Sequence, residues 1–367
     1  MVILEQQPQT SKPQRPTLFS QQYYERIMRE YCYFPTGKDY GVEPINFSLG
    51  NLTPEDLGIK WLCHTQGDLF SERFSAGTPS LVTTGIGLSG PPHVGTLSQI
   101  IRAITLQKAG VPVQFVLGDL DAFNGKNISL STVRKLAERY RRFVIALGFN
   151  TDFPNILRNQ YDEDALPVLR TAYLLAHYLD DSQLESIEED LHPLYAAKGK
   201  VDGKMTFRRE CSLCLMLADF IHPAIEGTNN IMVTLGIDEH RYVLPLIKAL
   251  DFLKIDELVP MDTSIATLYS PIIRGLFGYP KMSKSFPDSG IFAGMDKETI
   301  TNLLLAGDQN ERDPYLNPVF QTALAVMPLT YPEVEELAQY CTENGHKWER
   351  YKRELACYLY SLLSLWS

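Results

Sequence analysis

The chain has 367 residues, 44% of them hydrophobic and 21% charged, which is enough apolar material for one large or two smaller globular domains. Its formal net charge of −10 argues against a broad basic surface for nucleic acid, although a local basic patch is compatible with it. The sequence has six irregularly spaced cysteines, no signal-peptide core and no apolar run of about 18 residues. We therefore expect a cytoplasmic protein with no disulfide framework and no membrane partner.

The first 79 residues differ in character from those that follow. Residues 1–17 are rich in Gln, Pro and Ser, a composition that predicts a disordered tail. Residues 18–79 are mixed, with helices predicted at 21–30 and 54–62. We interpret residues 18–79 as an N-terminal appendage to the domain that begins at residue 80.

A glycine-rich turn follows the first strong strand signal, the β-branched run at residues 80–83. It reads TTGIGLSGPPHVGT over residues 83–96, and an apolar helical pattern covers 97–106. Glycines let the backbone approach a phosphate, and the N–H groups and dipole of a helix N-terminus favour an anion. His93, at the entry to the helix, could donate a hydrogen bond to a phosphate oxygen. The turn favours a nucleotide site, with an ordinary strand-to-helix loop as the alternative.

Strands and helices continue to alternate after this turn, which predicts a doubly wound, Rossmann-type parallel α/β sheet. Further strands are predicted at 111–117 and 231–235. Helices are predicted at 131–147 with Ser131 as the cap, 162–179, 207–225 and 239–252. We place this domain at 80–292. A short helical C-terminal region at 293–367 follows, with helices from 296, over 331–344 and over 347–365.

A second loop, GYPKMSKSFP at residues 278–287, brings two lysines and two serines close together. With the His93 turn it resembles the HIGH and KMSKS signatures of class I aminoacyl-tRNA synthetases. The first signature reads HVGT at 93–96, with Thr96 in place of the second histidine, and the second reads KMSKS at 281–285. GIDE at 236–239 is similar to the family's ribose-binding GxDQ segment, with Glu239 in place of glutamine. The resemblance covers residues 80–292.

The run CLMLADFI at residues 214–221 carries a lone aspartate in an apolar helix, which is costly unless the carboxylate is paired or binds a ligand. In the tryptophanyl and tyrosyl branch of the family, a similar helix presents an aspartate to the ring of the substrate. Met216 and Asp219 resemble the tryptophanyl version, in which the carboxylate accepts from the indole N–H and the methionine contacts the ring. A local ion pair of Asp219, with Met216 in the core, is the alternative.

The resemblance implies that the carboxylate of an amino acid, with tryptophan favoured, attacks the α-phosphorus of ATP, and that the aminoacyl group then passes to tRNA. Magnesium is expected on the phosphate oxygens. The residues implied in catalysis are His93, Thr96, Lys281 and Lys284. Those implied in ATP binding are Gly85, Gly87, Gly95, Gly236, Asp238, Met282 and Ser283. Those implied in amino-acid binding are Met216, Asp219, Asp119 and Asp121.

Asp119 and Asp121 follow the strand at 111–117, where plain turn or cap roles are the alternative. Together with His93 and Asp238 they follow predicted parallel strands, whose carboxyl ends are where such sheets bind ligands. Cys211 and Cys214 form only half of a tetrahedral site, so no resident metal is predicted.

Three other functions stay open. The chain could be a paralogue that makes the adenylate for an acceptor other than tRNA, a nucleotidyltransferase with an HxGH turn, or a silent binding protein. Both KMSKS lysines argue against the last, and the full KMSKS loop with Met216 and Asp219 argues against the second.

A tRNA partner would need a local basic patch, and the resemblance also implies a homodimer. An ordinary solvated helix face is the alternative for each basic run. The candidates for the patch are Arg134, Lys135, Arg139, Arg141, Arg142, Lys347, Arg350, Lys352 and Arg353.

Overall fold

The computed structural model describes residues 18–37, 40–179, 206–284 and 286–366. Within these residues a seven-stranded sheet has the order β1-β2-β7-β6-β3-β4-β5. Strands β7, β6, β3, β4 and β5 are parallel. Beyond β7, β2 pairs antiparallel with β7, and β1 pairs antiparallel with β2. The strands are β1 (Phe34–Pro35), β2 (Cys63–Thr65), β3 (Ser80–Gly87), β4 (Val113–Gly118), β5 (Ile156–Asn159), β6 (Asn230–Gly236) and β7 (Ser264–Ser270). This confirms the predicted Rossmann-type sheet.

Helices cover the sheet and form the C-terminal region. The first seven are α1 (Gln21–Tyr31), α2 (Pro54–Lys60), α3 (Gly67–Ser75), α4 (Val94–Lys108), α5 (Asp119–Lys126), α6 (Leu130–Ala146) and α7 (Leu166–Leu175). The next six are α8 (Phe207–Ile225), α9 (Leu244–Ile255), α10 (Lys297–Gly307), α11 (Pro318–Val326), α12 (Tyr331–Glu343) and α13 (His346–Leu363). No helix in these described ranges is long and apolar enough to span a membrane.

The strand order places a crevice at the centre of the sheet. The chain moves outward from β3 through β4 to β5, and then returns to lay β6 on the other side of β3. Connections on opposite sides of β3 leave an opening beyond the carboxyl ends of β3 and β6, which is where open α/β sheets bind ligands. His93 follows β3, Asp119 follows β4 and Asp238 follows β6, as the sequence predicts.

Several predicted elements need correction. Helix α6 is capped by Ser129 and not by Ser131, because the Ser129 Oγ accepts from the Thr132 N–H at 3.3 Å. The predicted helix at 162–179 is α7 flanked by two 3₁₀ turns. The predicted helix at 239–252 begins as a 3₁₀ turn, Ile237–Val243, and becomes α-helical only at Leu244.

The N-terminal and C-terminal segments share their core with the central sheet. Strands β1 and β2 come from the predicted appendage and pair into the same sheet. One contiguous apolar cluster runs from Phe47 and Leu57 through Leu97 to Leu355 and Leu363. The proposed boundaries at 80 and 292 stay a prediction, and the predicted tail at 1–17 lies outside the described residues.

Candidate nucleotide and amino-acid site

His93 is the N-cap of α4, and its backbone is extended. Its Nδ1 accepts a hydrogen bond from the Gly95 N–H at 2.9 Å, so the ring proton is assigned to Nε2. Burial, then the charges of Lys284 and Lys281, lower the pKa of His93 to about 3. The imidazole is therefore neutral at pH 7 and carries one N–H donor, on Nε2.

Glycine is required where the turn folds back on His93. A Cβ at Gly95 would lie 2.6 Å from the His93 Cε1, too close for any side chain. Gly85 and Gly87 are in the last three residues of β3, where the strand becomes partly exposed at the crevice. The predicted ATP-binding glycines of this segment therefore lie at the edge of the sheet beside His93.

The loop that carries the two signature lysines is joined to the His93 turn by backbone hydrogen bonds. The Val94 N–H donates to the Ile291 carbonyl at 3.1 Å, and the Ala293 N–H donates to the Pro92 carbonyl at 2.9 Å. Phe292 also contacts the His93 ring, with centroids 5.9 Å apart. Two segments almost 200 residues apart in sequence thus meet at one edge of the sheet.

Met282 and Ser283 anchor this loop and are buried. The Met282 N–H donates to the Ile273 carbonyl at 3.2 Å, and the Ser283 N–H donates to the Ser289 Oγ at 2.9 Å. Their neighbours Lys281 and Lys284 extend toward the crevice. Ser285, the last residue of the signature, lies outside the described residues.

Lys281 contacts the turn after β6. Its Nζ lies 2.7 Å from the Oδ2 of Asp238. A Cβ at Gly236 would lie 2.5 Å from the Asp238 Oδ1, so the glycine lets this carboxylate fold back toward the strand end. The structure therefore brings together Gly236, Asp238 and Lys281.

Lys284 reaches across to the His93 turn. Its Nζ donates to the Gly90 carbonyl and to the Tyr140 hydroxyl, each at 3.3 Å. Burial, with a smaller effect of Lys126, lowers the pKa of Lys284 to about 8. Thr96 is buried on the first turn of α4.

Asp219 lies buried on α8 and is paired. Its Oδ1 accepts from the Arg158 Nη2 at 3.1 Å, and its Oδ2 accepts from the Gln160 Nε2 at 2.7 Å. Burial raises the pKa of Asp219 to about 6 against the effects of Arg158 and Gln160. Met216, one turn earlier, is half-buried against the apolar core. Because a carboxylate has about four lone-pair sites, these two donors leave Asp219 capacity for another.

The two aspartates after β4 have different surroundings. The Asp119 Oδ1 accepts from the backbone N–H groups of Leu120, Gln160 and Tyr161 at 2.9–3.2 Å, which ties the ends of β4 and β5 together. Asp121 lies near the glycine-rich strand end, since a Cβ at Gly87 would be 3.1 Å from its Oδ2. Burial raises the pKa of both carboxyls.

Sequence reasoning missed Arg158, Gln160 and Tyr140. Arg158 lies in β5, and Gln160 follows it directly. This strand has only four residues, which is too short to give a periodic signal in the sequence. Tyr140 is on the apolar face of α6, where the sequence pattern predicts only a core position for a tyrosine. The only available signal was Arg158 itself, a charged residue in an otherwise strand-like run.

The chain matches known proteins over most of its length. The family model described as tRNA synthetases class I (W and Y) matches residues 75–358. A tryptophan--tRNA ligase of Methanocaldococcus jannaschii is 24% identical over 291 residues, 77% of this chain and 73% of that protein.

Solved structures of a tryptophanyl- and a tyrosyl-tRNA synthetase share the fold. Tryptophanyl-tRNA synthetase of Aeropyrum pernix matches with a TM-score of 0.72 and 21% identity, over 94% of this chain and 92% of that one. Tyrosyl-tRNA synthetase of Archaeoglobus fulgidus matches with a TM-score of 0.60 and 19% identity, over 79% and 89%.

Proposed function

Because the chain belongs to the class I tRNA synthetases of the tryptophan and tyrosine type, we propose that it activates tryptophan with ATP and transfers it to tRNA. The observation that carries this proposal is the meeting of His93, Lys284, Lys281 and Asp238 at the crevice between β3 and β6. This arrangement offers a neutral N–H donor, two ammonium groups and a carboxylate acceptor to one nucleotide.

The reaction joins two anions, so positioning and charge stabilisation supply most of the catalysis. A carboxylate oxygen of the amino acid bonds to the α-phosphorus, and the bond from that phosphorus to the bridging oxygen of pyrophosphate breaks. His93 donates to the phosphates through Nε2, and Lys281 and Lys284 offset the charge that develops on pyrophosphate. Asp238 accepts from the ribose hydroxyls.

Magnesium enters this scheme bound to ATP. Among the described residues no three His, Cys, Asp or Glu side chains gather as a metal cluster. Phosphate oxygens and water suit Mg²⁺, which keeps much of its hydration shell. We therefore assign the ion to the phosphate oxygens of ATP.

For the amino acid, we assign Asp219 as the acceptor of the indole N–H and Met216 as an apolar contact of the ring. The two donors on Asp219 fix the direction of the carboxylate and leave lone pairs for the substrate. Asp121, beside Gly87, is the better placed of the two β4 aspartates to meet the substrate ammonium. The relatives named tryptophan--tRNA ligase support this choice over tyrosine.

For tRNA, α6 is the better of the two basic runs. Arg134, Lys135 and Arg142 are exposed on it. On α13, by contrast, Lys352 is buried in an ion pair with Asp308, and Arg350 and Arg353 pair with glutamates of their own helix. We propose that α6 neutralises phosphates near the acceptor end.

We also propose that the protein works as a cytoplasmic homodimer. Helix α7 exposes an apolar face, with Tyr173 85% and Leu166 60% exposed and Leu169 beside them at helical spacing. Analytical ultracentrifugation of Tyr173→Lys tests this: the variant should sediment as a monomer, and a monomeric wild type would contradict the dimer.

The function is tested by exchange of labelled pyrophosphate into ATP in the presence of each of the twenty amino acids. Tryptophan should support exchange best. Charging of full-length tRNA, an anticodon variant and an acceptor minihelix then tests the second step, and we expect the acceptor end to matter more than the anticodon. Exchange without charging of any RNA would favour the paralogue with another acceptor.

A further inference from the structure

The hydroxyl of Tyr140 lies where the two signature segments meet. It donates to the Gly90 carbonyl, in the turn before His93, at 2.8 Å. It accepts from the Lys284 Nζ at 3.3 Å. Burial raises the pKa of Tyr140, and a hydrogen bond from the Thr96 side chain opposes that rise. A single hydroxyl on α6 thus bonds both the glycine-rich turn and a signature lysine.

The contact restricts a side chain that is otherwise flexible. A lysine ammonium is carried on a four-carbon stem and loses much rotamer freedom when it is fixed. The Lys284 Nζ has two acceptors, the Gly90 carbonyl and the Tyr140 hydroxyl, and also lies 5.7 Å from the Tyr140 ring centroid. These contacts hold the ammonium against the His93 turn.

Tyr140 is itself held by aromatic packing from the C-terminal segment. The Trp366 ring lies 4.6 Å from the Tyr140 ring and 5.6 Å from Phe143, one helical turn later. The Arg139 guanidinium stacks over Trp366 at 4.4 Å. Tyr140 is fully buried, so its hydroxyl has a fixed place on a rigid element.

We propose that Tyr140 is a positioning residue for Lys284: its hydroxyl fixes the ammonium beside the His93 turn, at the place where the phosphates of a nucleotide bind. The inference rests on the proposed function for the identity of that nucleotide.

The variant Tyr140→Phe keeps the ring and removes the hydroxyl. Hydrogen bonds to charged groups are worth about 1.5–3 kcal/mol, so kcat/KM for ATP in pyrophosphate exchange should fall by about tenfold to 100-fold. The KM for the amino acid should stay within about twofold, because the contact does not involve that substrate. Tyr358→Phe is the matched control, since its hydroxyl bonds the Val326 carbonyl at 3.5 Å in the C-terminal region.

A double-mutant cycle separates positioning from a general structural effect. If Tyr140 acts through Lys284, Tyr140→Phe should cause little further loss in a Lys284→Met background. Losses that multiply across the two sites would overturn the inference.

A second readout needs no turnover. Labelling of Lys284 by an amine-reactive ester, followed with pH by peptide mass spectrometry, reports the titration of its ammonium. The midpoint should move to lower pH in Tyr140→Phe, because an acceptor of the charged form is lost, and should not move in Tyr358→Phe. An unchanged midpoint in Tyr140→Phe would refute the inference. A shifted midpoint in a protein that exchanges no pyrophosphate would uphold the contact and reject the proposed function.

Discussion

The Lys281 ammonium lies 2.7 Å from the Oδ2 of Asp238, and the two side chains are 19% and 10% exposed. The pair links the lysine loop to the turn after β6. Lys281 therefore contacts the same Asp238 carboxylate that we propose as the acceptor for the ribose hydroxyls. The nucleotide must therefore share Asp238 with Lys281 or displace it.

This competition predicts opposite effects on two ligands in Lys281→Met. Adenosine, which has a ribose but no phosphates, should bind several-fold more tightly, because Asp238 is released. Pyrophosphate exchange with ATP should fall by about 100-fold or more, because a phosphate-facing charge is lost. Calorimetry with adenosine measures the first effect, with the exposed Lys297→Met as control. Unchanged or weaker adenosine binding would show that the ion pair does not restrict the ribose site.

Substitutions of His93 should separate its cap from its donor. Asparagine is a good N-cap, so His93→Asn should preserve the stability of α4. The variant lacks the Nε2 donor, so its rate of pyrophosphate exchange should fall by about 100-fold. His93→Ala loses both, and should also lower the free energy of unfolding by about 1 kcal/mol. Urea unfolding and pyrophosphate exchange on the same samples compare the two. Equal exchange rates in His93→Asn and wild type would remove the donor role.

The pKa of Lys284 predicts a pH limit. Because that pKa is lowered to about 8, the ammonium is charged below this pH and neutral above it. The kcat/KM for ATP, which reports the free enzyme, should therefore decline above about pH 8. In Lys284→Arg the decline should move to higher pH, since a guanidinium stays charged. A decline at the same pH in both proteins would assign it to another group.

The Arg158–Asp219 pair predicts a large stability effect. Both side chains are buried, so Arg158→Met leaves the Asp219 carboxylate without its charged partner and should cost about 3–5 kcal/mol in the free energy of unfolding. The double variant Arg158→Met, Asp219→Leu should recover most of that lost stability. It should still discriminate poorly between tryptophan and phenylalanine, because the Asp219 carboxylate is absent. The exposed pair of Arg353 and Glu349 supplies the control, for which Arg353→Met should cost at most about 1 kcal/mol. Full tryptophan selectivity in the double variant would exclude Asp219 from recognition.

Local patterns predicted the central α/β framework because its signals are continuous in sequence. The β-branched run before Gly85 and the helical spacing after His93 fix the first strand, turn and helix. Strand β7 escaped prediction, since SIATLYS mixes polar and apolar residues and is buried by its neighbours in the sheet.

The contacts within the site were harder to predict than the sheet, because they join residues that are far apart in the sequence. Lys281 meets Asp238 across 43 positions, and Arg158 meets Asp219 across 61. No local pattern encodes such distant pairs. The resemblance to a known family supplied the residues, and only the fold supplied their partners.

The most direct test of the account is single-turnover formation of the adenylate. Enzyme in excess over ATP labelled at the α-phosphate is mixed with tryptophan, quenched, and resolved for labelled tryptophanyl-adenylate. The wild type should convert ATP to the adenylate with loss of pyrophosphate, and Lys284→Ala should do so about 100-fold more slowly or worse. Folded wild-type protein that binds ATP but forms no adenylate with tryptophan or any other amino acid would contradict the account.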